Sequence, residues 1–304
     1  MSNVYDILIL GGGPIAASTA YFLSQEGKNK VGILFENQID NKRATYKYAG
    51  GCVRWFWDEP LKISMTKETA DFVKKIADDG VDVSLREDTY LFLYRGVHTP
   101  AINVSAAKLV DYFIKEAAEK GVTVHGDEVI ENITKEGELH TVSTDRGSYK
   151  AKKVLLALGA ENARFMPDYD LEKEDRYLLV LDLPVGEAEI DFPHTIAKVG
   201  DGYAYVFVKK MSEGWRFLVS QEDVLPTPKE GEVEIHFEKL LSAGFGEVMP
   251  FLQKAKVERM LTGTDVETKE LLIKEKEGLM AANCGSAVRS CVWIGRELTK
   301  RITA

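Results

Sequence analysis

At 304 residues, 45% hydrophobic and 29% charged, the chain has an ordinary globular composition and enough length for two substantial cores. Its 48 acidic against 39 basic residues give a net charge of −9 without any long basic run, which excludes a nucleic-acid partner. No apolar run approaches the roughly 18 residues needed to span a bilayer, the N-terminus lacks a signal peptide's basic segment and cleavage site, and the three cysteines include no CxxC pair, so a soluble, cytoplasmic protein with reduced thiols is expected.

Residues 4 to 10 form a continuous apolar run that stops at three glycines, the pattern of a buried parallel strand. A helix follows from Pro14 to about Gln25, with Pro14 near its start, where a missing N–H costs little. Residues 31 to 36 read as a second buried strand, completing one βαβ unit. Helices are expected over Pro60–Asp79 and Val104–Lys120, each ending at a glycine, with strand between them over residues 83 to 95. Short strands fill residues 122 to 158, and the last of them runs apolar from Val154 to Leu158. Between residues 175 and 225 apolar and polar positions alternate (Tyr203, Tyr205, Phe207; Trp215, Phe217, Val219), the period of an antiparallel sheet with one covered face. A helix over 233–244, a strand over Lys254–Thr264, a strand over Gly278–Ala282 and a helix over Ser286–Ile302 close the chain.

Both ends supply a buried strand, a glycine and a helix. The expected fold class is therefore α/β, a discontinuous Rossmann-type domain (residues 1–80, 103–170 and 266–304) interrupted by a smaller, mainly antiparallel substrate domain (81–102 and 171–265).

Gly11-Gly12-Gly13-Pro14-Ile15-Ala16 fits G-x-G-x-x-G/A. The first glycine permits the tight turn, the second lets backbone approach a pyrophosphate, and Ala16 lets the helix pack close to the strand. The helix start, at Pro14 and Ile15, offers its positive dipole end and unpaired N–H groups to phosphates. Glu36 ends the second strand, where a carboxylate accepts hydrogen bonds from ribose hydroxyls and disfavours a 2′-phosphate. With strand, helix, second strand and acid all in place, the motif predicts a bound dinucleotide, NAD or FAD. Five scattered histidines give no support for a metal site, and none is expected.

Gly11 to Glu36, Ala49-Gly50-Gly51-Cys52-Val53-Arg54-Trp55-Phe56, the strands over 122–133, Leu155-Leu156-Ala157-Leu158-Gly159-Ala160 and Cys284-Gly285-Ser286 together resemble the D-amino-acid oxidase family of FAD-dependent oxidoreductases, which includes glycine and sarcosine oxidases and dimethylglycine dehydrogenases. The resemblance implies FAD as cofactor. It places Gly11, Gly13 and Ala16 at the pyrophosphate, Glu36 at the adenosine ribose, Val129 against the adenine, Gly50 and Gly51 along the isoalloxazine, and Ala157 and Gly159 near the phosphates. Gly285 and Ser286 would present the last helix to the flavin pyrimidine, where negative charge develops on reduction. The chain departs from the family where Leu261-Thr262-Gly263-Thr264-Asp265-Val266 replaces a Pro-Asp-Gly-rich segment, where the glycine-rich turn shrinks to Cys284-Gly285-Ser286, and in its shorter substrate domain.

In such an enzyme the flavin carries the hard step and the protein positions the substrate. An amino-acid substrate needs a cation for its carboxylate, and arginine offers two parallel donors. Arg54 is the first candidate and Arg289 the second, with a surface or interdomain ion pair as the alternative for each. Tyr46, Tyr48 and Trp55 are candidates to wall the cavity, or are simply core. Cys52 reads as a buried apolar thiol, His98 and His125 as structural or solvated, and Lys209-Lys210 as a solvated turn at a strand end in place of an oxygen-activating lysine. The expected activity is oxidation of the C–N bond of a small amine or amino acid (sarcosine, glycine, proline or D-amino-acid class). The alternatives are a 2-hydroxy acid or other metabolite as substrate, a flavin subunit that needs a partner for turnover, and an NAD-dependent dehydrogenase. Oxygen or an electron-transfer partner would accept the electrons, and a homo-oligomer remains open.

Overall fold

The computed structural model describes residues 4–36, 45–55, 59–184, 192–211, 214–229, 231–266, 268, 271–285 and 287–304. In chain order its elements are β1 (Val4–Leu10), α1 (Pro14–Glu26), β2 (Val31–Phe35), β3 (Cys52–Arg54), α2 (Pro60–Asp78), β4 (Arg86–Phe92), β5 (Val97–Asn103), α3 (Ala106–Glu119), β6 (Thr123–Gly126), β7 (Ile130–Glu136), β8 (Leu139–Thr144) and β9 (Gly147–Leu156). There follow α4 (Asn162–Phe165), β10 (Lys173–Pro184), β11 (His194–Val199), β12 (Gly202–Met211), β13 (Gly214–Glu222), α5 (Val233–Leu240), α6 (Gly246–Val248), β14 (Val257–Val266), β15 (Leu272–Lys276), β16 (Leu279–Asn283) and α7 (Ala287–Thr303). Two compact units emerge, Met1–Lys47 with Ala106–Glu174 and Thr264–Ala304, and Tyr48–Ser105 with Asp175–Gly263.

The first unit is built on a sheet ordered β15-β16-β9-β1-β2-β6. β1 pairs in parallel with β2 and β9, β9 with β16, and β2 with β6, while β15 returns antiparallel along β16. Leu8, Ile9 and Leu10 are buried on both faces of the central strand, and each contributes roughly 1.5–3 kcal/mol of apolar burial. The first half of β9 carries a second layer, the β7–β8 hairpin, through the pairing of His140 with Ala151. Parallel register puts the carboxyl ends of β1, β2, β9 and β16 on one edge, because Leu10 lies opposite both Leu34 and Leu156, and Leu156 opposite Ala281. Ligands of open α/β sheets bind at that edge.

α1 starts at Pro14 and ends at Gly27, whose φ of 63° is the left-handed cap that glycine adopts without strain. It is buried by two neighbours. α3 brings Phe113 against Tyr21, ring centroids 5.3 Å apart, and α7 approaches so closely that a Cβ on Gly295 would lie 2.7 Å from Ser18 Oγ and 2.8 Å from the Ser18 carbonyl carbon. Alanine normally gains about 1 kcal/mol over glycine inside a helix. At position 295 the backbone contact reverses the sign: Gly295→Ala is expected to lower unfolding stability by roughly 1–2 kcal/mol through overpacking, read from urea denaturation of the apoprotein.

The second unit is a sheet ordered β14-β10-β13-β12-β11-β4-β5-β3. Its defined pairs are antiparallel except β11 with β4, which is parallel. One face buries Leu179, Leu181, Val206, Val208, Phe217 and Val219 beneath Phe237 and Leu240 of α5. The other carries a smaller cluster of Cys52, Tyr90, Phe92, Ala101 and Ile196, flanked by Tyr203 and Tyr205.

Three strands escape the sequence reading: β3, β5 and β15. The first of these moves a boundary. The sequence assigns residues up to 80 to the cofactor domain, whereas the opening segment of the first unit runs to Lys47, and Cys52–Arg54 pairs with Asn103–Ala101 in the second sheet. Among the described residues no helix is long and apolar enough to cross a membrane.

Candidate functional site

At the end of β1 the chain turns at Gly11 with φ 122°. A Cβ there would sit 2.3 Å from the Ala157 carbonyl oxygen and 2.8 Å from its carbon. The turn lies pressed against the end of β9, fixed by Ala157 N–H donating to Leu10 O and Gly11 N–H to Leu34 O, both at 2.8 Å. Gly13 differs. It is extended, φ −84° and ψ −179°, and a Cβ on it would meet nothing nearer than Tyr46 Cδ1 at 3.9 Å. The fold therefore requires a glycine at 11, while the open side of Gly13 is the cradle a Cβ would fill. Ala16 is fully buried and Ile15 nearly so. The N-terminus of α1 has no side-chain cap and no acidic residue in its first turn, so its dipole and the N–H groups of Ile15 and Ala16 are directed outward from Gly13.

Glu36 follows β2, half-buried, on the same edge. The neighbouring strand β6 leads to Val129, which is 41% exposed. Its N–H donates to Asp145 Oδ1 at 2.8 Å and its carbonyl accepts from Asp145 N at 3.2 Å, so both of its backbone groups are engaged by Asp145. Beneath it Glu128 is buried, accepting from Thr144 Oγ1 at 2.7 Å and Tyr149 OH at 2.5 Å. His125 bonds Tyr5 OH at 2.8 Å and is kept neutral by burial, which lowers its pKa. Its role is structural, whereas His98 is exposed.

Gly159 has φ 63° and open space around it. The turn from Ala157 to Gly159 is held by Asn162, fully buried, which accepts from Leu158 N at 2.9 Å and donates to Ala282 O at 3.1 Å and to Asn283. No sequence signal marked Asn162, because it acts across 120 residues. Gly285 is packed against backbone, with a Cβ there 2.9 Å from the carbonyl oxygens of Val266 and Thr268, and its N–H donates to Thr268 Oγ1 at 3.1 Å. Ser286 lies outside the described residues. Arg289 is half-buried in the first turn of α7.

In the second unit Arg54 ends β3 with its guanidinium 4.4 Å from the Tyr90 ring centroid and 5.1 Å from that of Phe92. Tyr205, on the same sheet face, donates to Glu222 Oε2 at 2.6 Å. Cys52 is buried in the adjoining cluster. The candidate cavity aromatics separate: Tyr46 belongs to the first unit, beside Gly13, with its hydroxyl pKa pushed up first by burial and then by Asp111, and Trp55 belongs to the second. Tyr48 closes the turn Thr45–Tyr48, and its side chain lies outside the described residues.

Lys209 corrects the sequence reading. It lies inside β12, not in a turn, and its Nζ donates to Ala49 O at 2.5 Å. The residue is half-buried but its ammonium end is desolvated, and burial pushes its pKa from 10.5 down to about 8. Lys210 is exposed. Because the unfolded chain binds the Lys209 proton more tightly, native stability should rise as pH increases from about 8 to 10.5. Urea midpoints of the wild type, measured relative to Lys209→Met across that window, are expected to climb with pH. Among the described residues no group of three or more His, Cys, Asp or Glu is placed to hold a metal ion.

A family model described as FAD dependent oxidoreductase matches residues 6–106 and 93–301. In fold the chain is similar to L-proline dehydrogenase from P. horikoshii (TM-score 0.79, 16% identity, covering 100% of this chain and 94% of that one). It is also similar to glycine oxidase from Geobacillus kaustophilus (TM-score 0.74, 16% identity, 99% and 95%) and to iminodiacetate oxidase from Chelativorans sp. BNC1 (TM-score 0.74, 16% identity, 98% and 95%). These spans leave little of any neighbour without a counterpart, so the expected trimming of the substrate domain is slight. No curated protein matches the sequence.

Proposed function

Because the chain belongs to the FAD dependent oxidoreductase family, we propose that it oxidises the C–N bond of a small amino acid or amine. The observation that carries this reading is Arg54, set three residues beyond Gly51 and stacked on Tyr90 and Phe92. Stacking on aromatic rings holds a guanidinium rigid while its outer N–H groups can bind a carboxylate in two parallel bonds. The named activities of the three solved neighbours, on proline, glycine and iminodiacetate, support the same substrate class.

The residues present fit FAD: Gly13 leaves room for a pyrophosphate, the α1 N-terminus supplies donors, and Glu36 stands where a ribose would lie. Bound FAD would supply the two-electron acceptor for the hydride that leaves the carbon bearing the amine. Arg54 anchors the substrate carboxylate and so fixes which C–H is presented. Beside it, buried Tyr90 and partly buried Tyr205 belong to one apolar cluster, and the Tyr205 hydroxyl is tied to Glu222. Arg289, at the start of α7, is the second candidate for a substrate anion. The amine proton leaves to solvent, and water hydrolyses the resulting imine to a carbonyl compound and ammonia or a smaller amine.

Anaerobic titration of the yellow holoprotein with sarcosine, glycine, proline and D- and L-amino acids tests this. Bleaching of the flavin band by one of them is expected. Bleaching only by 2-hydroxy acids would replace the substrate class, and no bleaching without an added protein fraction would make the chain a flavin subunit of a larger enzyme.

A further inference from the structure

Residues 49 to 51 are gripped by three donors of the second unit. The Ala49 carbonyl accepts from Lys209 Nζ at 2.5 Å, that of Gly50 from Asn103 Nδ2 at 3.2 Å, and that of Gly51 from Val104 N at 2.9 Å. Across a trans peptide the C=O and the following N–H point in opposite directions. Fixing the carbonyls of Ala49 and Gly50 therefore points the N–H groups of Gly50 and Gly51 away from Lys209 Nζ and Asn103 Nδ2 respectively. Only glycine accepts this arrangement at 51, where φ is 72° and a Cβ would sit 2.1 Å from Val104 O.

The grip is itself braced. Asn103 is 5% exposed, and its amide nitrogen lies 2.6 Å from His194 Nε2. His194 Nε2 is 3.1 Å from Asp88 Oδ2, which Arg86 Nη2 meets at 2.5 Å. Gly50 packs on the Phe207 ring, where a Cβ would come within 3.2 Å. Holding an ammonium in this setting opposes folding, and burial has brought its pKa to about 8. Methionine would fill the same space without that penalty but would take the donor from the Ala49 carbonyl, so the desolvated lysine is tied to the position of that backbone.

We propose that Lys209 and Asn103 are positioning residues for the flavin: they hold residues 49–51 so that the Gly50 and Gly51 N–H groups stand as paired donors toward the electron-rich edge of the isoalloxazine, with the Lys209 charge behind them. The proposal rests on the reading of Gly50 and Gly51 as the flavin-facing stretch. Preorganised N–H donors and a nearby cation favour the ring when it carries extra negative charge, so the clamp raises the reduction potential and speeds hydride acceptance without touching the substrate.

The test uses flavin-loaded wild type, Lys209→Met, Lys209→Gln and Asn103→Leu, compared by dye-equilibrated midpoint potential, by visible circular dichroism of the flavin and by steady-state kinetics. Lys209→Met is expected to remain folded, the relieved desolvation offsetting the lost bond to Ala49, to shift the midpoint to more negative values, and to lower kcat by on the order of 100-fold with KM little changed, the effect of a small misplacement near the reacting atoms. Lys209→Gln keeps an N–H donor without the charge and should fall between the two. Asn103→Leu should change the dichroism of the flavin band. If Lys209→Met and Asn103→Leu both kept the wild-type potential and dichroism, the positioning role would be overturned and the family reading would stand. A wild-type chain that took up no flavin would overturn both.

Discussion

A chain carrying Gly11→Ala is expected to lose its flavin together with about 3–5 kcal/mol of stability, an effect at the upper end for a single substitution. Two terms add. The residue sits at φ 122°, where an L side chain is strained. Its Cβ would also collide with backbone atoms of Ala157, which cannot retreat without breaking the pairing of β1 with β9. Gly13→Ala supplies the contrast. Its backbone is extended and its surroundings open, so apoprotein stability should stay within about 0.5 kcal/mol of wild type. FAD affinity should fall by roughly 1–3 kcal/mol as the methyl group enters the pyrophosphate's place, or about 5–150-fold in Kd. Urea unfolding of the apoproteins and fluorescence titration with FAD separate the two. Equal loss of stability in both variants would mean that Gly13 serves the fold and not the cofactor.

The second large effect is on substrate. Arg54→Met keeps much of the packing on Tyr90 and Phe92 but removes the charge and the paired donors. For amino-acid substrates kcat/KM is expected to drop on the order of 10²–10³-fold, roughly 3–4 kcal/mol. A matched amine without a carboxylate should react equally well with both proteins. Arg54→Lys should recover little, because an ammonium lacks the planar, two-donor geometry and the stacking. If the loss were the same for substrates with and without a carboxylate, Arg54 would be a packing residue, and Arg289 would become the candidate anchor.

The parts of the molecule legible in the sequence are those governed by short-range rules. The glycine turn at 11–13, Pro14 at the start of α1, the apolar runs of β1, β2 and β9 and the alternation along β12 and β13 all sit within windows of about ten residues, where period and turn chemistry speak directly. β3 was not legible. Three residues carry no period, and Cys52–Arg54 is a strand only because β5 lies beside it.

Side-chain environment was the other blind spot. Lys209-Lys210 looks the same on paper whether it ends a strand in water or sits within one, and burial is settled by the Ala49–Gly51 stretch, 160 residues away. Asn162 and Gly295 are ordinary residues in the sequence, and become necessary where a buried turn needs an acceptor and where two helices meet at backbone distance.

The sequence by itself determined the start of the first unit and the joining of the chain ends within it: the βαβ unit, the glycine turn at 11–13 and the acid that follows β2, because each depends on local backbone geometry or on a run of apolar residues. Only the tertiary structure decided why Gly11 and Gly51 admit no side chain, what Asn103 and Lys209 grip, and which rings lie under Arg54. Those depend on contacts between segments 36 to 160 residues apart, and spacing along a chain carries no information about which distant backbone will occupy the space beside a given residue.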